Sequence, residues 1–170
     1  MAAPRPFLRW PDPRLRTSAA PVLRVDDGVR AAWDEMEAAM RAMPGVGLAG
    51  PQIGEMRRLA VVDCSEGKAG AVRMANPRIA WFSSETATRE EGSPNLPGLW
   101  APVTRPAAVR VVFADESGAE VERLFTDLWA TSVQHQIDHL EGRVFIDRLG
   151  PVRRRMALDR WKKKMRREGR

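Results

Sequence analysis

His135 and His139 stand four residues apart in Gln134-His135-Gln136-Ile137-Asp138-His139-Leu140-Glu141-Gly142. On a helix that spacing puts both imidazoles on one face, where they can share one metal ion. In the H-E-x-x-H pattern the residue after the first histidine is a glutamate that handles protons for the water a metal activates. Here that position is Gln136, and an amide neither takes nor returns a proton near neutral pH. The fragment has the shape of a metal-dependent hydrolase site without its base. A second segment, Gly45-Val46-Gly47-Leu48-Ala49-Gly50-Pro51-Gln52, is a glycine-dense loop that can bring backbone close to a ligand.

The surrounding pattern predicts the elements that hold these residues. Asp26 or Asp27 can cap a helix through about Met43, on which Trp33, Met36 and Met40 recur at helical spacing before Pro44 and Gly45 end it. Residues 58–63 and 71–75 read as strands. Residues 109–113 and 120–125 flank Asp115-Glu116-Ser117-Gly118 as a hairpin. Thr126 or Asp127 can cap the helix that carries both histidines, and Gly142 ends it. The reading is one mixed α and β unit over residues 1–150 with a basic C-terminal helix or tail over 151–170.

Charge is concentrated in that tail. Residues 151–170 hold ten basic and two acidic side chains, net +8, so the remainder of a chain of net charge +6 is slightly acidic. Leu158, Trp161 and Met165 recur at helical spacing and predict a terminal helix with a narrow apolar stripe. Its charges suit a polyanion such as ribosomal RNA, or serve only as the wet face of a helix docked by its stripe. The single cysteine, Cys64, excludes an internal disulfide and reads as a half-buried structural thiol. No apolar run approaches the roughly 18 residues of a membrane span. Residues 1–16 are Arg-rich like a transit peptide, but Pro4, Pro6, Pro11 and Pro13 would break such a helix. The expected location is cytoplasmic.

Taken together, these segments resemble the peptide deformylase family across nearly the whole chain. Gly45 to Gln52 is similar to the family's first motif. Glu91-Gly92-Ser93-Pro94-Asn95-Leu96-Pro97-Gly98 is similar to its E-G-C-L-S motif, and Gln134 to Gly142 to its Q-H-E-x-D-H-L-x-G motif. Pro11 to Arg16, Asn76-Pro77 and Phe145-Ile146-Asp147-Arg148-Leu149 resemble further family stretches. The resemblance implies an α+β fold, with mixed and antiparallel sheets around a central metal-site helix. It also implies removal of the formyl group from the N-terminal methionine of new polypeptides, with a bound divalent metal.

The resemblance places the metal on His135, His139 and a thiolate position that is Ser93 here. It places the general base at Gln136. The formyl oxygen would sit between Gln52 and the backbone N–H of residue 94, which is Pro94 and has none to give. Gly45, Gly47, Leu48, Gly92, Leu96 and Trp100 fall at substrate-binding positions, with Trp100 where many members have arginine.

Replacement of the thiolate, the base and one donor leads the sequence reading to a protein that lacks deformylase activity. It would be isolated without metal, or with one divalent ion (Fe, Zn, Ni or Co) at His135 and His139. Its expected partners are nascent-chain N-termini and, through the basic helix, the ribosome. The alternative is a divergent but active metal-dependent deformylase. A further alternative is a hydrolase that uses Glu90, Glu91 or Asp138 as a relocated base.

Overall fold

The computed structural model describes residues 5–169. Met1 to Pro4, where the transit-like stretch begins, and Arg170 lie outside them. Among the described residues three α-helices and seven strands follow one another, with short 3₁₀ turns between them. α1 (Asp27–Arg41) is capped by Asp26, whose carboxylate accepts from Val29 N–H, and it ends two residues before the expected Met43. Its apolar face buries Val29, Trp33, Met36 and Met40 against Leu48, Leu59 and Val61.

A five-stranded antiparallel sheet runs in the order β1 (Gly47–Ala49), β2 (Leu59–Val62), β3 (Val72–Phe82), β6 (Ala108–Ala114) and β7 (Glu120–Thr126). The β6–β7 hairpin is where the sequence predicts it. β3 runs far beyond residue 75, because register shifts around Asn76-Pro77 and again past Ile79 absorb the proline without ending the strand. β4 (Thr86–Gly92) and β5 (Trp100–Pro106) pair as a separate two-stranded ribbon. Their apolar content is low and β5 carries Pro102 and Pro106. That composition argues against a central strand but suits a ribbon in which each strand is an edge.

α2 (Asp127–Leu140) lies between the sheet and the ribbon, and every residue from Ala130 to Leu140 is buried. Ala130, Val133, Ile137 and Leu140 pack on Val109, Val111 and Phe125 of the sheet. α3 (Pro151–Arg167) docks through Ala157, Leu158, Trp161 and Met165 onto Leu96, Leu99, Phe145 and Ile146. Trp161 Nε1–H donates to Pro97 O at 2.9 Å, which ties the basic helix to the second motif's loop. Cys64 is half-buried, and burial pushes its thiol up to about 11, so it stays protonated. Among the described residues no helix is long and apolar enough to cross a membrane.

Candidate active site

A helix buried on all sides must satisfy each of its polar groups internally or leave them for a ligand. On α2, Gln134 Nε2 donates to Pro106 O and Ala130 O, both at 3.0 Å, and Ser132 Oγ donates to Val46 O at 3.2 Å. Asp138 accepts from Arg105 Nη1 at 2.8 Å and from the Arg148 guanidinium. Arg105, only 3% exposed, turns its other edge to Glu91, with Nε to Oε2 at 2.7 Å and Nη2 to Oε1 at 2.9 Å. Burial works to raise the pKa of both carboxyls. The Arg105 bonds at Glu91, and the Arg148 and Arg105 contacts at Asp138, outweigh it and hold both below the usual range.

This ion network reaches the first histidine. His135 Nδ1 lies 2.8 Å from Glu91 Oε1, so a carboxylate holds one ring nitrogen and leaves Nε2 for other work. The ring also stacks on Phe145, with centroids 6.1 Å apart. His139, whose ring centroid is 5.0 Å from that of His135, is fully buried. Neither of its ring nitrogens has a partner. Burial, then the neighbouring His135, holds its pKa well below the usual histidine value, so it is neutral at pH 7. Gln136 Oε1 is the remaining unpartnered buried atom on this helix among the described residues.

Beside the histidines opens a cleft of about 470 Å³, walled by Met43 to Gly47, Gln52, Glu90 to Pro94, Pro97 to Trp100, Leu128, Thr131, Ser132, His135 and Gln136. All three motifs meet in it. At Gly47 a Cβ would lie 2.5 Å from Ser132 Oγ and 2.6 Å from Gln136 Nε2, so a side chain there would displace both of these α2 groups. At Gly92 a Cβ would meet the Trp100 indole at 2.8 Å and would push that ring aside. Trp100 is 68% exposed and lies across the rim. Two expected substrate contacts are corrected: Leu48 and Leu96 are fully buried in separate cores and do not line the cleft.

The polar wall opposite α2 is neutral. Gln52 Oε1 accepts from Ala49 N–H at 2.9 Å, while Gln52 Nε2 donates to Asn95 Oδ1 at 3.0 Å and Ser93 Oγ at 3.3 Å. Ser93 Oγ donates to Asn95 Oδ1 at 3.0 Å. Glu91 and Asp138 are not relocated bases, because both are locked to Arg105. Glu90 sits on the exposed side of β4. Sequence reasoning missed Arg105, Arg148 and Asn95. Asn95 was visible only as an asparagine where the second motif ends in serine.

The donor set can be tested against a divalent ion. No group of three or more His, Cys, Asp or Glu side chains among the described residues is arranged to hold one. The two imidazoles fit nonetheless. His139 offers unspent buried nitrogens, His135 offers Nε2 with Nδ1 held by a carboxylate, and Ser93 faces the cleft with a neutral oxygen.

The family model for polypeptide deformylase matches residues 4–155. A peptide deformylase of Cellvibrio japonicus (strain Ueda107) is 38% identical over 159 residues, 94% of this chain and 94% of its own. A peptide deformylase-like protein of Rhizobium meliloti (strain 1021) is 40% identical over 161 residues, 95% of this chain and 93% of its own. The crystal structure of peptide deformylase from Ehrlichia chaffeensis in complex with actinonin superposes with a TM-score of 0.88. It is 32% identical and covers 97% of this chain and 99% of that one. Similarity of this kind along the full chain corrects the expectation of a binding protein without activity, and supports the alternative of a divergent active deformylase. By fold, motif order and family match, the chain belongs to the polypeptide deformylase family.

Proposed function

We propose that the chain is a divergent, metal-dependent peptide deformylase that removes the formyl group from N-terminal methionine of nascent polypeptides in the cytoplasm. The observation that carries this reading is the pair of buried imidazoles beside the cleft, His139 with both nitrogens unspent and His135 oriented through Glu91. A divalent ion held there supplies Lewis-acid polarisation of a carbonyl and a lowered pKa for water. Iron, zinc, nickel and cobalt all accept imidazole ligands.

The chain's own groups do the rest. The loop at Gly45 and Gly47, with Gly92 and Trp100 opposite, takes the extended methionyl peptide into the cleft. Gln52 Nε2 donates to the formyl oxygen. Pro94 has no N–H, so the second donor is missing, a loss on the order of 10²–10³ in rate. Gln136 Oε1, buried and unpartnered, accepts a hydrogen bond from the attacking water but cannot take its proton, which has to reach the departing amino group without a relaying side chain. The missing base costs roughly 10²–10⁴. Ser93 would offer the ion a neutral oxygen in place of a thiolate. The reading is therefore of a slow enzyme.

The exposed charges of α3, among them Arg153, Arg155, Arg160, Lys162, Lys163 and Arg167, support docking on ribosomal RNA near the emerging chain. Co-sedimentation with ribosomes at low salt that falls away as salt rises is the expected result. No co-sedimentation at low salt refutes it. For the reaction itself, the test is formate release from a formyl-methionyl peptide with Fe²⁺, Ni²⁺, Co²⁺ and Zn²⁺ each supplied anaerobically. Turnover above the rate with the ion alone supports the reading, and none with any ion refutes it.

A further inference from the structure

Asn95 is fully buried, and none of its hydrogen-bonding groups is idle. Its Nδ2 donates to Leu8 O at 2.7 Å and Gln52 O at 3.0 Å. Two carbonyls can only accept, so they fix which end of the amide is nitrogen. Asn95 Oδ1 must then face Gln52 Nε2 at 3.0 Å and Ser93 Oγ at 3.0 Å. Gln52 is oriented just as firmly, because its Oε1 accepts from Ala49 N–H. The backbone joins the same knot: Leu8 N–H donates to Gln52 O at 2.9 Å and Trp10 N–H to Asn95 O at 3.0 Å.

The consequence lies in how the two protons of Gln52 Nε2 are used. One makes the shorter bond to Asn95. The second is then aimed away from both acceptors, because the two N–H bonds of an amide diverge by about 120° while Asn95 Oδ1 and Ser93 Oγ lie only 3.0 Å apart. The long 3.3 Å contact with Ser93 Oγ is therefore a bent share of the first proton. Ser93 has weaker claims on that proton, because its own hydroxyl hydrogen goes to Asn95 and its oxygen also accepts from Asn95 N–H at 3.3 Å. Resting on the deformylase reading above, we infer that Asn95 is a positioning residue for the reaction. It anchors one Nε2 proton of Gln52 so that the other is aimed at the substrate's formyl oxygen. Asn95 touches no substrate atom. With Pro94 unable to donate, this single aimed proton is the whole donor side of the cleft from these two positions.

The test is a double-mutant cycle read on formyl-Met-Ala-Ser, by formate release and by peptide affinity. Asn95→Ala is expected to lower kcat/KM and affinity about five- to tenfold. In a Gln52→Ala background the same change should cost less than about twofold. Equal losses in both backgrounds would mean that Asn95 only supports the fold, and would overturn the inference. A second measurement stands if Asn95→Ala does not fold. In wild-type protein, one Gln52 Nε2 proton resonance should shift on peptide addition while the other, bonded to Asn95, stays; both moving, or neither, overturns the proposal. Wild-type protein that shows the single-proton shift but releases no formate would refute the functional reading and the catalytic part of this inference, and would leave Asn95 only as the anchor of Gln52 for a bound peptide.

Discussion

The two sides of α2 solve the problem of buried polarity in opposite ways. On one side the solution is ionic: His135, Glu91, Arg105, Asp138 and Arg148 form a continuous run of charged hydrogen bonds. Around Gln52 it is neutral: Gln52, Ser93 and Asn95 satisfy one another with amide and hydroxyl groups, and Gln136 has its carbonyl unspent. The ionic side resists change because its centre, Arg105, is the buried partner that Glu91 and Asp138 share. The neutral side costs less to rearrange, since each bond there is an ordinary one that a ligand atom can replace. The difference assigns orientation to the first side and exchange with substrate to the second. It also places the divergence of this chain on the side where change is cheap.

Making the neutral side ionic should have the largest effect. Ser93→Cys combined with Gln136→Glu restores an anionic ligand and a base, and formate release is expected to rise roughly 10²–10⁴-fold. A folded, metal-filled variant no faster than wild type would break the assignment of those two positions. Making the ionic side neutral should act on stability instead. Arg105→Met leaves Glu91 and Asp138 buried without their shared partner, at a cost of about 3–5 kcal/mol in urea unfolding. A loss under about 1 kcal/mol would show that water reaches the network.

A smaller effect is expected from filling the gap between the two sides. A divalent ion at about one hundred times its Kd should add about 2.7 kcal/mol to unfolding, and His139→Ala should abolish that gain. The same gain in His139→Ala would put the ion elsewhere. The smallest effect is with acid. Asp138, and Asp147 beneath Arg16 and Arg154, both have folded-state pKa values below the ordinary aspartate value of 3.8, through arginine bonds that outweigh burial. In the unfolded chain these groups take protons first, so their stabilisation is full above 3.8 and disappears as pH falls through the lower folded values. Thermal midpoints should drop below about pH 4. Midpoints that hold steady to pH 2 would contradict the pairing.

The sequence revealed the helix of His135 and His139, a cap of α1 at Asp26 or Asp27, of which Asp26 is the one used, and the β6–β7 hairpin, because period and capping are local. The apolar stripe of α3 could be read too, and it does dock. The ribbon of β4 and β5 could not, because prolines and charges disguise strands that need no central position. Arg105 was invisible for a different reason. Its partners Glu91 and Asp138 lie on separate elements, and only the fold shows that one guanidinium serves both. Asn95 was seen as a motif position but not as an anchor, since its partners Leu8 and Gln52 come from distant segments. Leu48 and Leu96 were taken for cleft residues because motif membership says nothing about which way a side chain turns.

In the function proposed, two imidazoles, His135 oriented through Glu91 and His139 with both nitrogens unspent, serve a cleft whose wall at Gln52 is neutral. Formate release from formyl-Met-Ala-Ser by wild-type protein and by His139→Ala, each supplied with the same concentration of divalent ion, is the deciding measurement. Slow turnover is expected in wild type and only the rate with the ion alone in the variant. Equal rates in the two proteins, or no turnover in wild type with any ion, would contradict it.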